Sequence, residues 1–166
     1  MVVRVLDSSL LIEADGRKLL KELETDLRSS KNAITPQRVY EETVTEPASK
    51  GYRASASRIE RLYKSRAIAI DNPDYTNKQV SDAIDRTRKC IAGKANKPEH
   101  LVELADLQVV ALAVTHASRG AKVEIIFRDN ALRDCLDVIL SRMGISNVTL
   151  VDSSELVVRL QLRRGH

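Results

Sequence analysis

The sequence predicts an α/β fold, a three-layer α/β/α sandwich with a central parallel sheet of about five strands. Three observations predict it. Short Val- and Ile-rich runs alternate with longer helix-patterned segments along the whole chain. The 166 residues, 43% apolar and 30% charged, suit one domain with a real core. No internal repeat or low-complexity tract interrupts the alternation.

Residues 2–6 (VVRVL) read as a short buried strand that stops at Asp7-Ser8-Ser9. Residues 17–28 place Leu19, Leu20, Leu23 and Leu27 on one helix face, and residues 29–32 form a loop. Ile34-Thr35-Pro36 opens a second helix, with Thr35 as N-cap and Pro36 at the first helical position. It runs to about Glu46, and Pro47 marks its end. Residues 53–64 form a basic helix, and residues 67–70 a short strand closed by Asp71-Asn72-Pro73-Asp74. Thr76 caps a helix over 77–92 that Gly93 ends, and residues 94–99 are a loop. Residues 101–117 form the most apolar helix, expected to be central and covered on most sides. A strand over 123–127 leads to a helix over 131–143, with the stripe Leu132, Leu136, Ile139, Leu140 and Met143 and a stop at Gly144. Residues 148–151 read as the last strand. The division expected is a globular domain over residues 1–153 and a basic C-terminal tail over 154–166.

Composition excludes several classes. Trp is absent and Phe127 is the only Phe, so the core is built from Leu, Val, Ile and Ala. No apolar run approaches the roughly 20 residues of a membrane helix. The first residues are too short and too charged for a signal peptide, which gives a cytoplasmic reading. Cys90 and Cys135 are far apart in sequence with no Cys-x-x-Cys, so they read as small buried residues rather than a disulfide or a zinc ribbon. The three His residues make no metal-ligand spacing.

The net charge of +4 is mild, and its distribution says more. Residues 50–66 and 78–97 are both basic, and each alone reads as a solvated helix face. If they flank an acidic site, Arg53, Arg58, Arg61, Arg86, Arg88 and Lys89 become candidates for holding a phosphate backbone.

Four acids stand out. Asp7 follows the first strand and Asp129 follows the strand at 123–127, and ligand sites in open α/β sheets lie beyond the carboxyl ends of strands. Either could equally cap the next helix. Asp106 opens the most apolar helix, and a carboxylate buried there needs a compensating cation or hydrogen-bond donors. Glu103 lies three residues earlier on a neighbouring part of the same face. Glu42 lies in the helix that Thr35-Pro36 opens, and Glu41 points elsewhere, roughly 100° away around the helix.

The order of these acids resembles the PIN-domain family over most of the chain. VVRVLDSSLLI looks like its first motif, a strand ending in Asp followed by Ser or Thr. ITPQRVYEETV resembles the second, and matching Val39 to its apolar slot favours Glu42 over Glu41. ELADLQVVALAV resembles the third, with Asp entering an Ala-rich apolar helix. IIFRDNALRDCLDVILSRMGI resembles the fourth, except that Phe127 stands where Ser or Thr is common. The hydroxyl missing there ordinarily helps orient the acids, and Ser8 and Ser9 are the candidates to supply that support.

The resemblance implies Mg²⁺- or Mn²⁺-dependent cleavage of RNA, with Asp7, Asp106 and Asp129 as metal ligands and Glu42 binding metal or positioning the attacking water. It also implies a setting, the toxin of a toxin–antitoxin pair, which brings in an antitoxin protein and a homodimer. The helices at 17–28 and 36–46 could supply an apolar surface for such a partner, but core is the favoured reading. A non-catalytic RNA- or protein-binding scaffold of the same fold competes, with Phe127 as its best support. A nucleotide-binding domain is disfavoured, because no Gly-rich loop follows the first strand.

Overall fold

The computed structural model describes residues 2–30 and 32–165. Its centre is a five-stranded parallel sheet in the order β3-β2-β1-β4-β5. The strands are β1 (Val2–Leu6), β2 (Ala33–Thr35), β3 (Ala69–Ile70), β4 (Lys122–Phe127) and β5 (Val148–Asp152). Parallel strands need crossovers, and the helices that supply them cover both faces. The three-layer α/β/α sandwich expected from the sequence is the fold observed.

On one face lie α1 (Ser8–Gly16), α2 (Leu20–Ser30), α5 (Arg53–Lys64) and α9 (Ser153–Arg164). On the other, α7 (Leu104–Ser118) packs on β1, β4 and β5, and α6 (Lys78–Ala95) packs on α7 and α8 (Asn130–Arg142). The chain leaves β1 toward β2 and β3, then returns to β4 on the other side of β1. The β1/β4 boundary is therefore the switch point, where the connections diverge and leave a crevice at the carboxyl ends of the strands. Register holds Leu6 level with Ile126, so Asp7 emerges on that rim.

The core follows the sequence closely. Val5 and Leu6 are fully buried, as are Leu19, Leu23 and Leu27, so those leucines serve the core and not a partner. In α7 every residue from Val109 to Thr115 is buried. Such a helix is apolar all round because it is wrapped on most sides.

Several local expectations are corrected. The helix α1, absent from the expected elements, starts directly after β1, and Asp7 caps it by accepting the Ser8 N–H through Oδ1 at 2.8 Å. Thr35 is not a helix cap. It is the last residue of β2, and Pro36, in extended backbone, is the N-cap of α3 (Gln37–Tyr40). Pro47 does not end that helix. A π-helical stretch, Glu41–Thr45, follows α3, and α4 (Glu46–Ser49) continues with Pro47 in its first turn. A proline removes one backbone donor and crowds the preceding turn, and the wider π turn accommodates both. Asn77, not Thr76, caps α6 by accepting the Gln79 N–H. Gly93 lies inside α6, which ends on Asn96 in left-handed backbone (φ 50°), a conformation Asn tolerates.

Cys90 and Cys135, expected to be unpaired, are joined by a disulfide with Cα atoms 5.9 Å apart. Sequence spacing missed it because the two cysteines meet only through the packing of α6 on α8. The expected basic tail is the helix α9, whose Leu156, Val157 and Leu160 are buried. No described helix is long and apolar enough to cross a membrane.

Candidate active site

Each acid reaches the rim for a local reason. Asp7 is carried by β1 and is only 7% exposed, its Oδ1 taken by the Ser8 N–H and its Oδ2 by the Ser9 hydroxyl at 3.2 Å. Asp129 follows β4 and caps α8, its Oδ1 accepting the N–H groups of Ala131 and Leu132. Both capping roles are therefore real, and they leave carboxylate oxygens for other work. Asp106 sits in the first turn of α7, where the helix dipole favours negative charge. Glu103 is the N-cap residue of that helix and makes no side-chain capping bond.

Glu42 lies in the π-helical stretch and is half-buried. The Ser8 hydroxyl donates to its Oε2 at 2.7 Å, tying it to the end of β1. A π turn inserts an extra residue into the helical register and re-aims the side chains around it. Glu41 instead pairs with Arg38 at 3.1 Å.

The four acids and Glu103 lie near enough for charge on one to act on another. Burial, then repulsion from Asp7, Asp129, Glu103 and Glu42, pushes the Asp106 carboxyl up to about 7. Burial also raises Asp7, against the opposing hydrogen bonds from Ser8 and Ser9, and Asp129 adds to the rise. Burial raises Glu42 too. The Ser8 bond and Arg38 oppose this, while Asp7 and Glu103 reinforce it. Carboxylates that raise one another in this way form a site at which positive charge is missing.

Arg38 is the cation that sequence reasoning missed. Its Nε lies 3.6 Å from Glu42 Oε1, but its Nη1 is held by Glu46 at 2.6 Å and Glu41 at 3.1 Å. The signal was present, because Arg38 and Glu42 stand at helical i,i+4 spacing. Gln108 was also missed. Its Oε1 accepts the Arg38 backbone N–H at 3.2 Å and ties α7 to α3 beside the acids.

The donor chemistry fits a hard divalent cation, which prefers carboxylate oxygens and answers a deficit of positive charge. The spacing is looser: among the described residues, no group of three or more His, Cys, Asp or Glu side chains is already arranged to hold an ion. Phe127, at the position where a hydroxyl was sought, is fully buried, with the Arg133 guanidinium 5.6 Å from its ring centroid. It contributes to the core and not to the rim.

The six basic candidates are all exposed or half-exposed but differ in freedom. Arg58 is tied to Asp15 at 2.6 Å, Arg86 to Asp82 at 3.1 Å and Arg88 to Asp85 at 3.3 Å. Arg53, Arg61 and Lys89 make no ion pair among the described residues. Arg53 is the first residue of α5, whereas Arg61 borders a separate recess with Lys21 and Glu24.

Comparison with curated proteins finds no match, and comparison with solved structures finds none. A family model described as the halobacterial PIN domain matches residues 1–163, nearly the entire chain. With four acids carried to one end of the strands of a parallel sheet, and that match spanning β1 to α9, the chain belongs to the PIN-domain family and has its nuclease-type fold.

Proposed function

We propose that this protein is a divalent-cation-dependent endoribonuclease that hydrolyses RNA phosphodiester bonds at Asp7, Glu42, Asp106 and Asp129. The observation that carries the reading is Asp106, a half-buried carboxyl pushed up to about 7 by desolvation and by four other acids. An isolated fold has no use for that repulsion, and a bound cation relieves it.

In this reading Asp7, Asp106 and Asp129 hold Mg²⁺ or Mn²⁺ directly or through water. When bound, such an ion supplies an activated water and neutralises charge on the phosphodiester. Ser8 and Ser9 fix Asp7, and Ser8 also fixes Glu42, which orients the attacking water. Asp129 keeps Oδ2 for the ion while Oδ1 caps α8. Glu103 adds negative charge at the mouth of the site. Arg53 at the start of α5, with Lys89 on α6, contacts RNA phosphates, and Arg58, Arg61, Arg86 and Arg88 extend the RNA-binding surface.

The cellular setting we propose is a cytoplasmic homodimeric toxin restrained by an antitoxin. Leu23 and Leu27 of α2 are core and offer no surface to either partner. A second reading, a non-catalytic RNA- or protein-binding scaffold, is favoured by the loose spacing of the carboxylates and by the buried Phe127.

Cleavage of a labelled single-stranded RNA in Mg²⁺, Mn²⁺ or EDTA, with wild type beside Asp7→Asn and Asp106→Asn, separates the two. Cutting that needs the metal and disappears in both variants supports the nuclease. RNA binding without cutting in any metal supports the scaffold.

A further inference from the structure

Beside the acidic rim lies a recess of about 260 Å³, between the start of α7 and the middle of α6. Tyr75, Ile84, Arg88, Leu104, Leu107 and Gln108 form most of its wall. Leu104 and Leu107 flank Asp106 along the first turn of α7, and Gln108 reaches the backbone of the helix that leads to Glu42. The recess therefore adjoins the acids and is not part of them.

Its chemistry is specific. Tyr75 is 51% exposed and Leu104 is 54% exposed, two large apolar side chains left in water at the edge of a buried helix. Tyr75 is held firmly: its carbonyl accepts from Ser81 Oγ at 3.2 Å, and its neighbour Asp74 is anchored through its N–H to Thr115 Oγ1 at 3.0 Å. The polar groups of the wall include two donors, Gln108 and Arg88, beside the Asp85 carboxylate that pairs with Arg88 and the Ser81 hydroxyl that is spent on the Tyr75 carbonyl. Gln108 has its oxygen committed to Arg38, which leaves its amide N–H groups for a ligand. Arg88 offers a guanidinium, only loosely held by Asp85 at 3.3 Å. A ligand that satisfies these groups is flat, has a π face for Tyr75 and Leu104, and carries acceptors on its edge.

We infer that this recess binds an unstacked nucleobase of the RNA strand that crosses the acidic site, with the base on Tyr75 and Leu104 and its acceptor edge toward Gln108 and Arg88. The assignment rests on the RNA reading proposed above and adds what that reading lacks, a contact to a base. Unpaired bases are commonly held this way, on an aromatic face with hydrogen bonds to an exposed edge. Across α6 as a whole Lys78, Arg86, Arg88, Lys89 and Lys94 outnumber Asp82 and Asp85, an excess that suits a strand carrying phosphates.

The test is fluorescence anisotropy with a short labelled single-stranded RNA, in EDTA and at low salt, so that binding is read without catalysis. Wild type, Tyr75→Ala, Tyr75→Phe and Gln108→Leu are compared, on the intact RNA and on one made abasic throughout. Tyr75→Ala should weaken binding about 5- to 100-fold, and Tyr75→Phe, which keeps the ring, by less than about twofold. Gln108→Leu should weaken it several-fold. The abasic strand should bind wild type poorly and show no further loss in Tyr75→Ala. Matching far-ultraviolet dichroism and Tm establish that the variants are folded. Binding by Tyr75→Ala within twofold of wild type on both strands overturns the assignment. Tyr75-dependent binding alongside a failure to cleave in any metal would sink the nuclease and leave the recess standing. A wild type that does not bind RNA overturns both.

Discussion

The Ser8 hydroxyl donates to Glu42 Oε2 at 2.7 Å and also lies 3.4 Å from Asp7 Oδ1. Ser8 thus holds two acids that arrive from different elements, Asp7 at the end of β1 through its N–H and Glu42 in the π-helical stretch through its hydroxyl. Ser8→Ala removes the bond to Glu42 at little cost in volume and keeps the N–H bond to Asp7. Losing such support for a metal-binding carboxylate lowers activity or metal affinity by about 10- to 100-fold. The expected result is a fall of that size in kcat/KM for RNA cleavage with Tm lowered only slightly; unchanged cleavage would remove Ser8 from the positioning role.

Asp106 makes stability depend on pH in an unusual direction. Its carboxyl is pushed up to about 7 in the folded protein, against an ordinary value of 3.8 when exposed. Over that window the unfolded chain ionises while the folded chain resists, so stability falls as pH rises from about 4 to about 7. Below the window the effect is absent, and above it the full loss remains. Asp106→Asn removes the charge. In EDTA at pH 8 this variant should be more stable by about 2 kcal/mol, or roughly 4–8 °C in Tm. The gain should shrink toward zero at pH 4. A variant less stable than wild type at pH 8 would contradict the crowding of acids around Asp106.

The Cys90–Cys135 bond closes a long loop, with 45 residues of separation, and holds α6 to α8. Cross-links of this kind stabilise by about 2–4 kcal/mol, mainly by restricting the unfolded chain. Urea unfolding of wild type with and without dithiothreitol should differ by that amount, and the Cys90→Ala/Cys135→Ala variant should not respond to reductant. A reductant-insensitive wild type would show that the bond contributes nothing to the fold.

Asp26 is nearly buried, accepts a hydrogen bond from Arg4 at 3.0 Å and forms an ion pair with Arg163 at 3.0 Å. Through it, α9 is clamped to α2 and β1. Asp26→Ala leaves Arg4 buried with only Glu124, at 3.4 Å, and should cost about 3 kcal/mol. Arg163→Ala, at an exposed position, should cost at most about 1 kcal/mol. Equal losses in the two variants by urea titration would mean that burial does not set the worth of this network.

How much of this was legible follows from where the signals lie. The layer order was legible because β1, β4 and α7 carry dense apolar runs, Val5-Leu6, Ile125 to Phe127 and Val109 to Val114, and only burial explains such runs. The ordering of the four acids was legible because three of them stand directly at element boundaries. The helix α1 was missed because its buried residues, Ser8, Leu10, Leu11 and Ala14, give no clear amphipathic stripe and its start looks like a turn. The strand β2 was missed because three residues are too few to show alternation. The π turn, the Ser8–Glu42 bond and the Cys90–Cys135 link are long-range or register effects, and no local pattern encodes them.

The central claim is that these carboxylates gather to bind a divalent cation, and calorimetric titration of the metal-free protein with Mn²⁺ at pH 8 tests it most directly. Saturable binding is expected, competed by Mg²⁺ and weakened at least about tenfold by Asp7→Asn and by Asp106→Asn. No binding by wild type, or binding of equal strength in both variants, would contradict it.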